Sequence, residues 1–363
     1  MWKRASDEES GVARRRDFLA RGRRRVTDMT DTDDSPRSDI DSPQSDTVGP
    51  PRSDTVGPPR SDADGLVSIV VPTYYRNNRL RGALESVASQ EYEPIETIVV
   101  DGGDDEHARP VVEEFDATYL AQARDEGPQA ARSEGAERAD GEYVQLLDDD
   151  DDRLHPEKIR EQVELLDSKA GVGVAYCGMV DEERGEIPPN PVVRGDVLGR
   201  ALEMRTFPCI NSTMLVDREV LERVLPLRHR HGADDTGLKI DLALQTRFDF
   251  VADLLVFRGR TGDSLSDSWR YLDGRREVMA TYDRLYRKFP DRIRQRALRE
   301  THYQVGRKLL ADDGWSPRAT AAFARATWET PGDYAYHAGA TLGSLLGRSG
   351  LRAVDRLFGR TGH

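Results

Sequence analysis

The chain has 363 residues, enough for one large domain or two with a genuine core. A formal net charge of −13 and an isoelectric point near 5.2 argue against general nucleic-acid binding. Only six of the 53 basic residues are lysine, an acidic, arginine-rich balance expected of a protein adapted to high salt or of a biased genome.

Two cysteines, Cys177 and Cys209, make neither a disulfide framework nor a metal knuckle, so a reducing compartment is expected. No apolar run approaches the ~18 residues of a membrane span. Arg15-Arg16-Asp17-Phe18-Leu19 has the outline of a twin-arginine export signal. Ala20-Arg21-Gly22-Arg23-Arg24-Arg25 follows where an apolar stretch is required, so export is not expected and the location is read as cytoplasmic.

Residues 1–65 are rich in Asp, Ser, Pro and Arg and poor in anything to bury. Within them Arg52-Ser53-Asp54-Thr55-Val56-Gly57-Pro58-Pro59 repeats a unit that ends at Pro50-Pro51. The period is too short for a solenoid and Pro-Pro blocks regular structure, so a disordered low-complexity tail is expected.

Order is expected from Leu66. Val67 to Pro72 is a continuous apolar strand of the kind buried inside a parallel sheet. Leu80, Ala83, Leu84, Val87 and Ala88 then mark an amphipathic helix. Ile95 to Val100 is a second buried strand ending at Asp101, and Ala117 to Ala121 a third, with a helix face at Val111, Val112 and Phe115 between them. Gly127 to Ala139 reads as a helix, Tyr143 to Leu147 as the central strand, and Ile159, Val163 and Leu166 as the next helix face. Val172 to Val180 is another strand, and strands alternating with helices mean a parallel sheet with right-handed crossovers.

Residues 181–209, with Pro188, Pro189 and Pro191, read as an irregular surface loop. A strand near Asn211 to Val216, a helix from Arg218 to Val224, a polar turn at Arg228 to Asp235, a helix through Leu238 and Leu242, and one or two strands within Phe248 to Phe257 complete this part. From Tyr271 the pattern is helical, with Val278, Tyr282, Leu285 and Phe289 on one face and Ser316-Pro317 as a start signal. Leu351, Val354, Leu357 and Phe358 against Arg348, Arg352, Arg356 and Arg360 make a basic amphipathic helix. Such a helix fits either an anionic membrane surface or its own domain.

The central strand runs directly into five carboxylates, Asp148 to Asp152, and Pro156 forbids it from continuing. The aspartates therefore belong on a loop at the carboxyl end of a strand, where open α/β sheets bind ligands. Adjacent carboxylates at about 4 Å repel by about 1 kcal/mol in water and about 4 kcal/mol near a protein surface. A hard divalent cation such as Mg²⁺ or Mn²⁺ converts that repulsion into binding and shares its ligands with phosphate. An isolated acidic run is ordinarily a solvated loop; its position after an apolar strand points to a site.

Taken together, Val67 to Tyr74, then Arg76, Leu80, Ser86 and Gln90, then Ile98 to Asp101, Gly127 with Ala131-Arg132, Gly141 to Asp152 and Ala233-Asp234-Asp235 resemble the motifs of the family 2 glycosyltransferases, from about Leu66 to about Ser266. The resemblance implies a GT-A fold, Rossmann-like and mostly parallel with helices on both faces, over residues 66–270, followed by a helical region over 271–363. It implies inverting transfer of a sugar from a nucleotide-diphosphate donor to a hydroxyl acceptor on a glycan or lipid. Peripheral membrane contact through the basic last helix, at the inner face of the membrane, fits that chemistry, and nucleic acid is not an expected partner.

By the same resemblance Pro72, Thr73, Tyr74 and Asp101 line the donor's base pocket and Arg132 approaches the pyrophosphate. Asp149 and Asp150 meet the ribose, Asp149 and Asp151 hold the metal, and Asp235, with Asp234 beside it, is the base. Counting forward from Leu147 instead gives Asp148 and Asp150 as the metal pair. Asp234 is expected either to raise the Asp235 pKa by like-charge repulsion or to cap the following helix.

The chain departs from the family pattern at Gly102, where a second acid is usual, at Tyr75, where Asn is common, and in an aspartate run one residue longer. Two other readings stay open: a nucleotide-sugar binder that kept the fold without turnover, and a metal-dependent phosphohydrolase. His229-x-His231 is expected to be solvated rather than a metal pair, and Cys177 to be core. Trp269 and Tyr271 either stack on a sugar or seal the junction with the helices.

Overall fold

The computed structural model describes Phe18 and residues 65–149, 152–259, 268–328 and 334–359. Most of the expected tail, and Asp150 and Asp151, lie outside the described residues. Phe18 does not: its ring lies 5.5 Å from His155 and 6.0 Å from Phe257, edge-on and tilted.

In chain order the first half comprises β1 (Val67–Thr73), α1 (Asn77–Ala88), β2 (Ile95–Asp101), α2 (Arg109–Val112), β3 (Thr118–Ala121), α3 (Pro128–Glu137), β4 (Tyr143–Leu146), β5 (Arg153–Leu154) and α4 (Lys158–Ser168). Next come β6 (Val172–Asp181), β7 (Gly185–Ile187), α5 (Leu198–Leu202), a 3₁₀ turn at Asn211–Thr213, β8 (Met214–Asp217), α6 (Arg218–Glu222), α7 (Asp234–Ala243) and β9 (Arg247–Arg258). The remainder is helical: α8 (Trp269–Thr281), α9 (Asp283–Tyr286), α10 (Asp291–Asp313), α11 (Pro317–Trp328), α12 (Tyr334–Ser344) and α13 (Gly347–Leu357).

The strands form one sheet in the order β3-β2-β1-β4-β8-β6-β9-β5, with β7 on β6. The half from β3 to β4 is parallel, as expected. Beyond β4 the sheet is mixed: β8 runs antiparallel to both β4 and β6, whereas β6 and β9 are parallel. The α/β fold is as expected, and the antiparallel pairings of β8 are where the sheet departs from a uniformly parallel one. Residues 181–209 are also more ordered than expected, since they contain β7 and α5.

Both faces of β1 are buried, which explains why its sequence is continuously apolar rather than alternating. Val70 faces a core shared with Val100, Val144 and Leu146, while Ile69 and Val71 face the opposite core with Leu80, Val99 and Leu147. Each fully buried Val or Ile stabilises the fold by about 1.5–3 kcal/mol. Val278, Tyr282, Tyr286 and Ile293 belong to the first of these cores, so the early C-terminal helices pack on the sheet. The expected face Val278–Tyr282–Leu285–Phe289 exists, but α8 ends at Thr281 and α9 continues it. Trp269 Nε1 donates to Asp312 on α10 at 2.9 Å and so joins two helices, whereas Tyr271 OH accepts from Arg275 within α8 while its side chain packs on the first core.

A polar network crosses this core. Lys158, fully buried at the start of α4, donates Nζ to Gln145 Oε1 on β4 and to Gln162 Oε1. Gln162 in turn donates to the Thr213 and Ala175 carbonyls. All the acceptors are neutral, so burial dominates and pushes the ammonium down to about 8. The unfolded chain, with the ordinary lysine value, binds more protons between about pH 8 and 10.5, so this group's contribution to stability rises across that window. The urea midpoint of the native protein should therefore gain on Lys158→Met as pH rises from 8 to 10.5, by on the order of 3 kcal/mol. Parallel pH profiles of the two proteins would show the assignment to be wrong.

Candidate active site

The site is built at the carboxyl ends of β1, β2 and β4. At the end of β1, Thr73 Oγ1 donates to Asp149 Oδ2 at 2.8 Å, joining β1 to the loop after β4. Arg76 Nη1 lies 3.2 Å from Asp149 Oδ1. Asp149 is only 5% exposed, and burial raises its pKa against the opposing pull of Thr73 and Arg76. Its neighbour Asp148 accepts from Arg132 Nη2, and Arg132 Nη1 donates to Gln129 Oε1 at 2.5 Å. Arg132 projects from α3, which starts at Gly127 with φ +87° and Pro128 in the first turn.

Two contacts fix the far side of the aspartate loop. Arg153 is buried, and its Nη1 donates to the Asp152 carbonyl at 2.8 Å. A Cβ at Gly82 would lie 2.1 Å from Arg153 Nη2, so α1 must present glycine there for the guanidinium to pass. Asp152 itself is buried.

Asp101 lies at the end of β2. It is fully buried, and its oxygens accept from Gly103 N at 2.8 Å, Ala108 N at 3.2 Å and Tyr119 OH at 2.8 Å. These contacts make Asp101 the anchor of the loop after β2. His107, which the sequence did not single out, sits on that loop with Nδ1 3.2 Å from Asp101 Oδ1. Its Nε2 accepts from Tyr75 N at 2.7 Å, and the two rings stack at 4.3 Å. Tyr75 holds φ +52°, a left-handed conformation in which Asn is more at ease. Pro72 is buried in β1, whereas Tyr74 is half exposed and meets Tyr75 edge-on at 4.8 Å. A cavity of about 590 Å³ opens beside these residues, lined by Tyr75, Arg76 and His107 with the first turn of α1.

The paired acids open α7. Asp234 Oδ1 accepts from Arg230 N and lies 3.5 Å from His229 Nδ1, so it ties down the turn before the helix. Asp235 is partly open, with 31% of its side chain exposed, and accepts from Lys239 Nζ at 3.0 Å. Burial pushes its pKa up, but the charges of Lys239 and Arg258 and the Lys239 hydrogen bond outweigh burial, and the net direction is down. The expectation that Asp234 raises it is corrected by this ion pair. His231 pairs with Glu277 at 3.5 Å, and the two histidine rings meet edge-on.

Aspartate loop and acid pair are linked through one segment. Gln145 Nε2, on β4, donates to the Asn211 carbonyl at 2.9 Å, and Lys239 Nζ donates to the Cys209 carbonyl at 2.9 Å. From α3, Gln129 Nε2 reaches the Arg228 carbonyl at 3.4 Å and Ser133 Oγ accepts from Leu227 N at 2.9 Å. Thr73, Arg132, Asp148 and Asp149 thus converge, Asp234 and Asp235 are held to them indirectly, and Asp101 stands behind. Hard carboxylate oxygens are the right donors for Mg²⁺ or Mn²⁺. Of the residues implied for the metal, Asp149 and, in the alternative register, Asp148 are described; Asp149 faces Thr73 and Arg76, and Asp148 faces Arg132.

Fold and site define a GT-A protein. Solved structures with this fold include Staphylococcus aureus TarS 1–349 in complex with UDP-GlcNAc, at 15% identity and TM-score 0.55, covering 82% of this chain and 92% of that one. The mannosyltransferase PcManGT from Pyrobaculum calidifontis, solved with GDP-Man and Mn²⁺, aligns at 18% identity and TM-score 0.52, over 79% and 84% of the two chains. Residues 68–225 match the family described as Glycosyl transferase family 2. Similar curated proteins include an uncharacterized glycosyltransferase of Haemophilus influenzae, 32% identical over 32% of this chain and 41% of that one. A GalNAc(5)-diNAcBac-PP-undecaprenol beta-1,3-glucosyltransferase of Campylobacter jejuni is 32% identical over 24% of this chain and 30% of its own. The match thus spans less than half the length of either relative.

The Thr73–Asp149 contact can be tested directly. Thr73→Val removes one of the partners that hold the Asp149 charge, so unfolding at pH 7 should become easier by about 1–3 kcal/mol. Because that penalty falls on the charged form, the gap should close as pH falls through the raised Asp149 pKa. A gap that stays constant down to pH 4 in denaturant titrations would refute the assignment.

Proposed function

We propose that the chain transfers a sugar from a nucleotide-diphosphate donor to a hydroxyl acceptor, with inversion and with help from Mg²⁺ or Mn²⁺. The observation that carries this is the meeting of Thr73, Asp149, Asp148 and Arg132 at the ends of parallel strands, within the segment that matches the family. Arg132 approaches the pyrophosphate, and Thr73 and Asp149 meet the ribose side of the donor. Pro72 and Tyr74 flank the base, with Tyr75 and His107 beside them. The aspartate loop, Asp149 and Asp151 with Asp150 between them, holds the cation, which neutralises charge on the departing diphosphate when bound.

Asp235 is the base. Its depressed pKa keeps it ionised at neutral pH, so it can take the proton of the attacking hydroxyl. A single in-line displacement inverts the anomeric centre. The named Campylobacter relative acts on an undecaprenol-linked acceptor, which supports a glycan or lipid-linked acceptor here and work at the inner face of the membrane. The acidic, Lys-poor composition fits high ionic strength.

A panel of nucleotide sugars, assayed with Mg²⁺, Mn²⁺ and chelator, tests the proposal. Cation-dependent release of nucleoside diphosphate is expected for at least one donor. Asp235→Asn should lower transfer by about 10²–10⁴-fold while leaving nucleotide affinity within a few-fold. Full activity in that variant would overturn the base, and nucleotide binding without turnover in the native chain would favour a non-catalytic binder.

Lys239 gives a second, finer test. Its charge and hydrogen bond lower the Asp235 pKa, so removing them raises it. In Lys239→Met the acid limb of the kcat/KM profile should move to higher pH, and Lys239→Arg should restore part of the shift. A profile unmoved by either substitution would mean that Asp235 is not the titrating group.

A further inference from the structure

The C-terminal helices carry a cavity that sugar transfer does not use. It measures about 460 Å³ and opens between the start of α8, α10 and α13. Leu272, Leu310 and Leu351, all buried, give it an apolar floor. Its wall is basic: Arg307 and Lys308 come from α10, Arg348 and Arg352 from α13. Asp355 is the acid in the lining, and its Oδ1 already accepts from Tyr336 OH at 2.8 Å. Lys308 is held by Asp312 at 2.7 Å, and Arg348 Nε donates to the Leu310 carbonyl. Among the described residues, neither Arg307 nor Arg352 has a carboxylate partner. Four cations against one lining acid make this spot positive on a chain of net charge −13.

The same end of the fold leaves large apolar side chains in water. Leu342, Leu345 and Leu346 are 67%, 56% and 77% exposed at the end of α12 and in the turn that follows. The helices around that turn are already in backbone contact, since a Cβ at Gly350 would lie 2.0 Å from the Gly343 oxygen. The hairpin therefore cannot close further to cover the leucines. Half-exposed Trp315 adjoins them: its Nε1 donates to the Leu345 carbonyl at 3.0 Å. Arg348 N donates to the Gly314 carbonyl at 3.0 Å, which seats the basic wall beside Trp315 and the leucine turn.

We propose that this end of the molecule docks on an anionic membrane, with the cavity taking a lipid headgroup phosphate and the Leu342–Leu346 turn entering the acyl boundary. Charge complementarity chooses the occupant: arginines without a carboxylate partner, Arg307 over the Tyr303 ring and Arg352, select an anion, and adjacent bare leucines select hydrocarbon. An anionic lipid offers both in one molecule. The proposal deepens the reading of a lipid-linked acceptor by naming the surface that meets the lipid; the binding itself does not depend on turnover.

The full chain would be floated with vesicles of phosphatidylcholine alone and with added phosphatidylglycerol, at low and high salt. Binding to the anionic vesicles only, weakened by salt, is expected. Arg307→Glu with Arg352→Glu should weaken it at least about 25-fold, taking about five-fold per arginine. Leu342→Ser with Leu346→Ser should also weaken it, and both pairs should keep native release of nucleoside diphosphate. Equal binding to neutral vesicles, or no binding to either, would overturn the proposal. So would stabilisation by inorganic phosphate without vesicle binding, which makes the cavity a free-anion site. A dimer that the serine pair splits, again without vesicle binding, would assign the leucines to a second copy. Vesicle binding without any donor turnover would leave this surface standing and sink the sugar-transfer reading instead.

Discussion

Like charges crowded at the tips of parallel strands are the constraint on which this structure turns. Two neighbouring carboxylates at about 4 Å repel by about 4 kcal/mol in a partly desolvated setting, and here they sit on a loop with little freedom to spread. The fold answers with one partner set for each described acid. Asp148 receives Arg132 from α3, and Asp149 receives Thr73 from β1 and Arg76 beside it. Each partner comes from a different element, so compensating the charge also clamps β1, β4 and α3 into one frame. The nucleoside diphosphate of the proposed donor would bring further negative charge to that frame, and the proposed cation would offset it.

The acid pair obeys the same logic at lower density. Asp234 is spent on the turn before α7, and Asp235 is left partly open with Lys239 at its side. That ion pair lowers the basicity of Asp235 and fixes its direction. Orientation is the more valuable of the two here, because a base must reach the hydroxyl before its strength matters. The lysine is shared with the Cys209 carbonyl, and Gln145 of the aspartate strand binds the Asn211 carbonyl two residues on. The aspartate strand and Asp235, the proposed base, are therefore connected through a short polar segment.

Where the sequence was legible, a strong local pattern had no competitor. β1 is nearly continuously apolar and β4 is apolar but for Gln145, short runs bounded by turn residues as a buried strand requires. Pro128 after Gly127 and Pro317 after Ser316 mark helix starts by chemistry that does not depend on context. Strand direction was not legible: β8 reads like any apolar strand, and its antiparallel placement is set by how the chain returns through α5 and the 3₁₀ turn. Site residues were legible as types but not as roles. Asp101 was legible as an acid at a strand end, but its three donors within the protein depend on where Gly103, Ala108 and Tyr119 fall in space. His107 and Lys239 gave no signal at all, since a lone His or Lys in a helix or loop looks like any solvated residue.

The rarity of lysine sharpens the last point. Arginine supplies nearly all the positive charge, so the few lysines kept are informative about what arginine cannot do. Lys158 lies wholly inside the core between two glutamine oxygens, and Lys239 is buried between a carbonyl and Asp235. A planar guanidinium with five donors would leave several unsatisfied in either place, whereas an ammonium needs only three partners and can drop its charge. Lys169 reaches the almost fully buried Asp249 at 2.6 Å, where Arg194 meets the other oxygen at 3.0 Å, so at this carboxylate both cations serve. Buried Arg153, Arg230 and Arg275 show that arginine also serves inside this protein, but at Lys158 and Lys239 the interior position takes a compact cation. One of those positions bears directly on the base, so the composition that sets the chain's net charge also decides which cation holds its chemistry.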